Sequence, residues 1–303
     1  MLIVGVDENG LGPRLGPLVA TAVTLEVTRY DRARLRRAGE RLGIDDSKQT
    51  SGFGKMAAAE GLALAVVEHL SGSVPQDADA LLHALSLDGL LALRAPCPSA
   101  SARQCWSAQL TLPAFGGDVA AGRVALTRLA RSGVRVLVAR SAIACAGVLN
   151  EQMRTLGSRT SIDLELFERL VLDARVRAGC DLAAILGMVG GIRDYPRHFQ
   201  RLQEREIEVL QQDRKVASYR VAGVGSLSFE VDADARHLPV ALASMIGKYV
   251  RELAMERQNR FYAAAQPGLA RASGYHDPVT RRFVEQTRAL RVQLGVVDEC
   301  FER

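Results

Sequence analysis

The sequence predicts an α/β protein in which helices flank a mixed sheet, and three features carry that expectation. Val, Ile, Leu and Thr cluster over residues 2–6 and 16–27 around glycine and proline, which reads as two strands joined by a glycine-rich turn. From about residue 118 strand-like and helical stretches alternate, the pattern of a sheet covered by helices. Farther on, Lys215–Val221 and Leu227–Val231 flank Gly223 and Gly225 as an antiparallel pair.

Taken in order, the chain starts with that hairpin, and residues 29–42 then carry Arg and Leu at helical spacing. Asp45-Asp46-Ser47-Lys48 is polar and reads as a loop. Residues 52–70 predict an amphipathic helix that starts after Ser51 and ends before Gly72. Residues 72–118, rich in Ser, Pro, Gly and Ala, lack sustained periodicity and are expected to form an irregular insertion with one short helix and one strand near Leu110. A helix to Arg131, a strand at Val134–Ala139, a helix near 163–178 and an apolar strand at Leu182–Val189 follow. Residues 196–213 read as a charged helix. Pro239 opens a long helix, roughly 239–258, with Leu242, Met245, Ile246, Tyr249, Val250 and Leu253 on one face. After a Gly274-Tyr275 loop, a last helix is expected from about Pro278 to Leu294.

Composition sets broad limits. At 303 residues and 48% hydrophobic content the chain can bury a large core. Its longest apolar runs, such as Leu62–Val67 and Leu182–Val189, fall well short of the roughly 18 to 20 residues that a membrane span needs. Met1-Leu2-Ile3-Val4-Gly5 leads directly into Asp7 and Glu8, so no secretory signal pattern is seen and a cytoplasmic location is expected. The five cysteines lack zinc-ligand spacing and read as reduced thiols. The five histidines show no ligand spacing either, and Trp106 reads as a core anchor. A net charge of +5, with arginine far outnumbering lysine, suits phosphate without by itself implying it.

The chemistry concentrates in Gly5-Val6-Asp7-Glu8-Asn9-Gly10-Leu11-Gly12-Pro13-Arg14-Leu15-Gly16-Pro17. Adjacent carboxylates at the end of a buried strand are costly unless a cation or hydrogen bonds neutralise them, and a hard divalent metal does so with oxygen ligands. The glycines leave amides that can approach a phosphate. Three readings compete: a dinucleotide fingerprint, weakened by Pro13 and Pro17 where a helix should open; plain turn carboxylates; and a metal site.

A resemblance favours the third. The segment resembles the opening motif of the ribonuclease HII (type 2 ribonuclease H) family. Asp46-Ser47-Lys48, then Ala233-Asp234 with Pro239 to Ser244 and Lys248, then Gly274-Tyr275, resemble later motifs of that family in the same order. The resemblance implies a ribonuclease-H-like mixed sheet, with a catalytic domain over 1–258 and a helical substrate-binding region over 259–303. It implies Mg²⁺ or Mn²⁺ held by Asp7, Glu8 and Asp234, and the backbone of Gly10, Leu11 and Gly12 against a 2′-hydroxyl. Lys48 would hold a phosphate and Tyr275 would pack beneath a deoxyribose. The implied activity is endonucleolytic cleavage of RNA in RNA/DNA hybrids or at ribonucleotides embedded in DNA, by a protein expected to be a monomer.

Two departures from the family pattern matter. Leu11 stands where the family has Arg, and a further metal-binding aspartate of the family falls on Gly187 here. Asp181, Asp194 and Asp232 are candidate substitutes, Asp232 foremost, because two residues before Asp234 on a strand shares its face, but the favoured reading of Asp232 is a solvated turn aspartate. The alternative function is a catalytically impaired descendant that binds nucleic acid without cutting. Arg193, Arg197, Arg201 and Arg205 fall four apart and suggest either a basic helical stripe toward nucleic acid or, with Glu204, Glu206 and Glu208, a salt-bridged face.

Overall fold

The computed structural model describes residues 1–44, 55–97 and 103–303. Seven strands form one mixed sheet in the order β3-β2-β1-β4-β7-β6-β5. Strand β1 (Leu2–Asn9) and strand β2 (Leu18–Val27) form the predicted antiparallel hairpin. The chain continues through α1 (Arg32–Glu40) and α2 (Ala57–Ser71) into the insertion. It leaves that region through α3 (Ala78–Leu85), α4 (Gly89–Arg94), α5 (Gln104–Ser107) and α6 (Val119–Arg131). Strand β3 (Val134–Ala144) then pairs antiparallel with β2. Helices α7 (Ala146–Leu156) and α8 (Arg159–Ala178) precede β4 (Leu182–Gly187), which is parallel to β1. Strands β5 (Ile207–Gln212), β6 (Val216–Val221) and β7 (Gly225–Glu230) complete the sheet, with β7 parallel to β4. The chain ends with α9 (Ala233–Arg236), the long α10 (Leu238–Ala265), α11 (Pro278–Gln286), α12 (Arg288–Gln293) and α13 (Asp298–Phe301).

Alternation along β1 sets the layers. Ile3 faces a core shared with α2 and α10, whereas Val4 and Val6 face one shared with α8 and the β6–β7 hairpin. A one-residue slip of β1 would swap those faces, so burial on both sides fixes its register. Helix α10 crosses β1 at Gly5, where a Cβ would lie 2.2 Å from the carbonyl carbon of Pro239. That contact requires glycine, and it brings the helix directly behind the carboxylates that follow. A third, smaller cluster joins Leu15 and Met255 to Tyr262, Phe283 and Phe301.

Several expectations need correction. Residues 196–213 are not a helix: a short 3₁₀ turn at Tyr195–His198 leads to a loop and then to β5. Glu168 of α8 accepts the backbone N–H groups of Gln200, Arg201 and Leu202, satisfying amides that a helix would have used internally. The four arginines therefore form no helical stripe. Arg197 pairs with Asp194, Arg201 with Glu165, and Arg205 donates to the carbonyl of Ala222.

Helix α2 is enclosed rather than amphipathic, with every residue from Ala59 to Val67 buried. Among its described residues the insertion holds three short helices and two isolated bridges, Asp77 with Thr111 and Ser86 with Ser141, instead of one helix and a strand. Helix α7 was not expected, and the last helix is broken at Thr287. Trp106 is half-buried and packs against the main core, as expected, with the guanidiniums of Arg94 and Arg257 5.7 and 5.8 Å from its ring centroid. No helix among the described residues is long and apolar enough to cross a membrane.

Candidate active site

The parallel strands β1, β4 and β7 end side by side, with Val6 opposite Leu186 and Gly187 opposite Glu230. Their carboxyl ends open into a cleft lined by Asp7, Glu8, the turn from Asn9 to Pro13, Gly187, Asp232, Asp234, Lys248 and Tyr275. The carboxyl ends of parallel strands are the usual ligand position in open α/β sheets. The structure thus brings together Asp7, Glu8, Gly10, Leu11, Gly12, Asp234 and Tyr275. Lys48, with Asp46 and Ser47, lies outside the described residues.

Asp7 accepts a hydrogen bond from the Ser244 hydroxyl on α10, yet burial and the charges of Asp234 and Glu8 push its carboxyl well above the usual range. Glu8 accepts the Leu11 N–H at 3.2 Å. Burial raises Glu8 as well, against the opposing pull of the Leu11 amide and of Arg303 and Arg251. The turn that follows holds Gly10 at φ +101°, a conformation that L side chains rarely adopt. It is tied to the C-terminal region, where the carbonyl of Gly274 accepts the backbone N–H groups of Arg14 and Leu15 at 2.8 and 3.0 Å. Beside Gly274, the ring of Tyr275 lies 4.6 Å from the Arg251 guanidinium and is 46% exposed, free to meet a ligand.

Three candidate substitutes for the missing aspartate are placed elsewhere or differently than expected. Asp181 precedes β4, at the end of the strand opposite Gly187, and pairs with Arg175. Asp194 pairs with Arg197. Asp232 lines the cleft but is exposed in a left-handed turn at φ 51°, and Asp234 sits on α9, so the two do not share a strand face. Sequence reasoning missed Asp163 of α8, which is fully buried while the charges of Glu8 and Asp7 act on it. The available signal was an acidic residue between Ile162 and Leu164 on the face that the helix buries.

Among the described residues, no three His, Cys, Asp or Glu side chains are already gathered as a metal cage. The donor chemistry nonetheless suits a hard divalent cation. Every candidate ligand is a carboxylate oxygen, and both oxygens of the buried Asp163 lack a hydrogen-bond partner.

The fold is that of the ribonuclease-H-like α/β proteins, a mixed sheet flanked by helices. Bst RNase HIII in complex with Mn²⁺ is similar over 100% of this chain and 66% of its own length, with a TM-score of 0.51 at 16% identity. RNase HII from the PCNA complex of Archaeoglobus fulgidus covers 99% of this chain and 93% of its own at 20% identity and a TM-score of 0.49. Ribonuclease H2 from Pyrococcus horikoshii OT3 covers 99% and 92% at 17% identity and a TM-score of 0.48. At these identities the likeness is one of fold. No protein-family model matches the chain, and neither does any curated protein.

Proposed function

We propose that this protein is a metal-dependent endonuclease that cleaves RNA in RNA/DNA hybrids or at ribonucleotides embedded in DNA. The observation that carries this reading is the meeting of Asp7, Glu8 and Asp234 with the glycine turn and Tyr275 in one cleft at the strand ends. Asp7, Glu8 and Asp234 would hold Mg²⁺ or Mn²⁺, which supplies Lewis acidity toward the scissile phosphodiester and its attacking water. Gly10, Leu11 and Gly12 line the cleft, and their backbone is assigned to the 2′-hydroxyl that distinguishes RNA from DNA. Ser244 orients the Asp7 carboxylate by its hydrogen bond. Tyr275 offers an exposed ring to a sugar, and Lys48 is assigned to a phosphate. In this reading residues 1–258 carry the catalysis, residues 259–303 grip the substrate, and the protein acts as a cytoplasmic monomer.

A second reading follows from Gly187. With no carboxylate at the end of β4, the cleft could hold a hybrid without cutting it, because misplacing the attacking water by about 1 Å costs roughly a hundredfold in rate. The deciding experiment incubates the protein with a labelled DNA duplex containing one ribonucleotide, and with an all-RNA/DNA hybrid, in Mg²⁺ and in Mn²⁺. Cleavage that disappears in Asp7→Asn and in EDTA is the expected outcome. Retained binding without cleavage under either metal selects the second reading.

A further inference from the structure

We infer that Asp163, projecting from α8, supplies the cation site with the carboxylate that Gly187 leaves out. The inference rests on the metal-site reading above and goes beyond it in naming a ligand from a different element. A Cβ built on Gly187 would lie 2.8 Å from Oδ1 of Asp7, so any side chain at the end of β4 would enter the Asp7 carboxylate's surroundings. This chain keeps that space open, and the charge needed there must come from another direction.

Helix α8 comes close enough to provide it. Its first turn presses on the loop after β4, since a Cβ on Gly190 would lie 2.0 Å from Cγ2 of Thr160. Asp163 is one turn farther along the same face. Its neighbours Ile162 and Leu164 pack in the core that holds Val4 and Val6 of β1 and Val189 of the loop after β4. Asp163 thus lies on the stretch of α8 that packs toward β1 and the loop after β4. Helix α8 is anchored at both ends, by the Ser158 hydroxyl accepting the Thr160 N–H and by Gly179 at its C-cap. A short side chain on a fixed helix is held in one position.

The other buried carboxylates show what is unusual about it. Glu60 accepts three backbone N–H groups and the Tyr249 hydroxyl. Glu168 accepts three backbone amides, while Glu252 and Glu256 pair with arginines. Asp163 is 0% exposed, and neither of its oxygens has a partner. Buried polar groups are almost always bonded, and a buried charge is paired or bound to metal. A divalent cation shared with Asp7 and Glu8 meets that requirement.

The test measures Mn²⁺ binding to the full chain by electron paramagnetic resonance, alongside unfolding temperatures with and without the ion. Wild type should bind Mn²⁺, and Asp163→Asn should bind it at least about tenfold more weakly. Its metal-free unfolding temperature should be equal to or above that of wild type, and its gel shift with hybrid in EDTA unchanged. Adding Gly187→Asp to Asp163→Asn should restore most of the lost affinity. If Asp163→Asn binds Mn²⁺ as tightly as wild type, Asp163 is not a ligand, though the metal site stands. If wild type binds no Mn²⁺, both readings fall. Should the variant not fold, anomalous diffraction from Mn²⁺-soaked wild-type crystals decides the matter. An ion contacted by Asp163, directly or through one water, supports the assignment, and an ion held without it overturns the assignment.

Discussion

Nη1 of Arg303 donates to the carbonyl oxygen of Gly10 at 2.5 Å, which lays a guanidinium against the turn beside the carboxylates. Its Nε and Nη2 are buried without a partner. Burial, and then the neighbouring charges of Arg251 and Arg159, bring its pKa down to about 9. Though those donors are enclosed, the charge acts on Glu8 and adds to the positive field beside Leu11, where the resembling motif has arginine. Arg303→Met is expected to weaken hybrid binding about five- to tenfold and to lower the salt slope by about 1. Fluorescence anisotropy titrations at several salt concentrations measure both. An unchanged slope would remove Arg303 from the phosphate contacts.

Tyr275 separates binding from stability. Its ring is 46% exposed and its main fixed contact is the Arg251 guanidinium at 4.6 Å, so its removal leaves no core cavity. Tyr275→Ala should cost less than about 1 kcal/mol of stability, the scale of an exposed cation–π contact. Loss of a stacking surface for sugar or base should cost about 1 to 3 kcal/mol of binding, or roughly five- to 150-fold in Kd. Denaturant titration and hybrid binding on the same preparation give the two numbers. A large stability loss with unaltered affinity would reassign the ring to a structural role.

The loop that carries Tyr275 is held by Asp277, which caps α11 through the Thr280 N–H and also accepts hydrogen bonds from the Ser273 and Thr280 hydroxyls. Burial works against its ionisation, but these hydrogen bonds outweigh it and hold the carboxyl below its usual range. A depressed folded-state pKa gives stability that is present above the unfolded value, about 3.9, and is lost as pH falls through the folded one. Asp277→Ala should therefore cost about 1 kcal/mol near neutral pH, the usual worth of such a cap. The difference from wild type should shrink as pH drops below about 3.9. Urea unfolding across the acid range checks the sign, and a gap that widens toward low pH would contradict it.

How much of this was legible in the sequence depended on range. The β1–β2 hairpin, the β6–β7 pair and the helix α10 followed from local alternation and punctuation, because each is specified by residues close in sequence, although α10 is buried on every side from Leu238 to Gly247 rather than on one face. The stretch 196–213 misled because its fate is set by Glu168, some thirty residues away, which satisfies amides that would otherwise close a helix. Asp163 escaped notice for a related reason. A helix expected from about residue 163 gives an aspartate at its start the ordinary role of a cap. The observed cap is Ser158, which moves Asp163 a full turn inside and into the core. The positions Asp7, Glu8, Asp234 and Tyr275 could be named from motifs, but their meeting in one cleft required the strand order.

The insertion offers the sharpest stability test, because a single buried carboxylate gathers donors both from it and from α10. Glu60 of α2 is fully buried and accepts the backbone N–H groups of Ala114, Phe115 and Gly117 at 2.6, 2.7 and 2.8 Å. It also accepts the hydroxyl of Tyr249 on α10 at 3.0 Å. One carboxylate thus satisfies four donors from two segments that share no regular pairing with α2. Glu60→Ala strands all four in a space too enclosed for easy hydration, and each buried unpaired donor costs about 1 to 3 kcal/mol. Relaxation of the 113–117 loop recovers part of that, so a loss of about 3 to 5 kcal/mol is expected. Glu60→Gln keeps acceptor capacity in one oxygen but turns two N–H groups toward existing donors, and it should cost nearly as much. Tyr249→Phe removes one donor together with its share of the acceptor and should cost about 1 kcal/mol. Measured together, the order Glu60→Ala, then Glu60→Gln, then Tyr249→Phe identifies the amides rather than the hydroxyl as the main anchor. A Tyr249→Phe variant as unstable as Glu60→Ala would place that anchor on α10 instead.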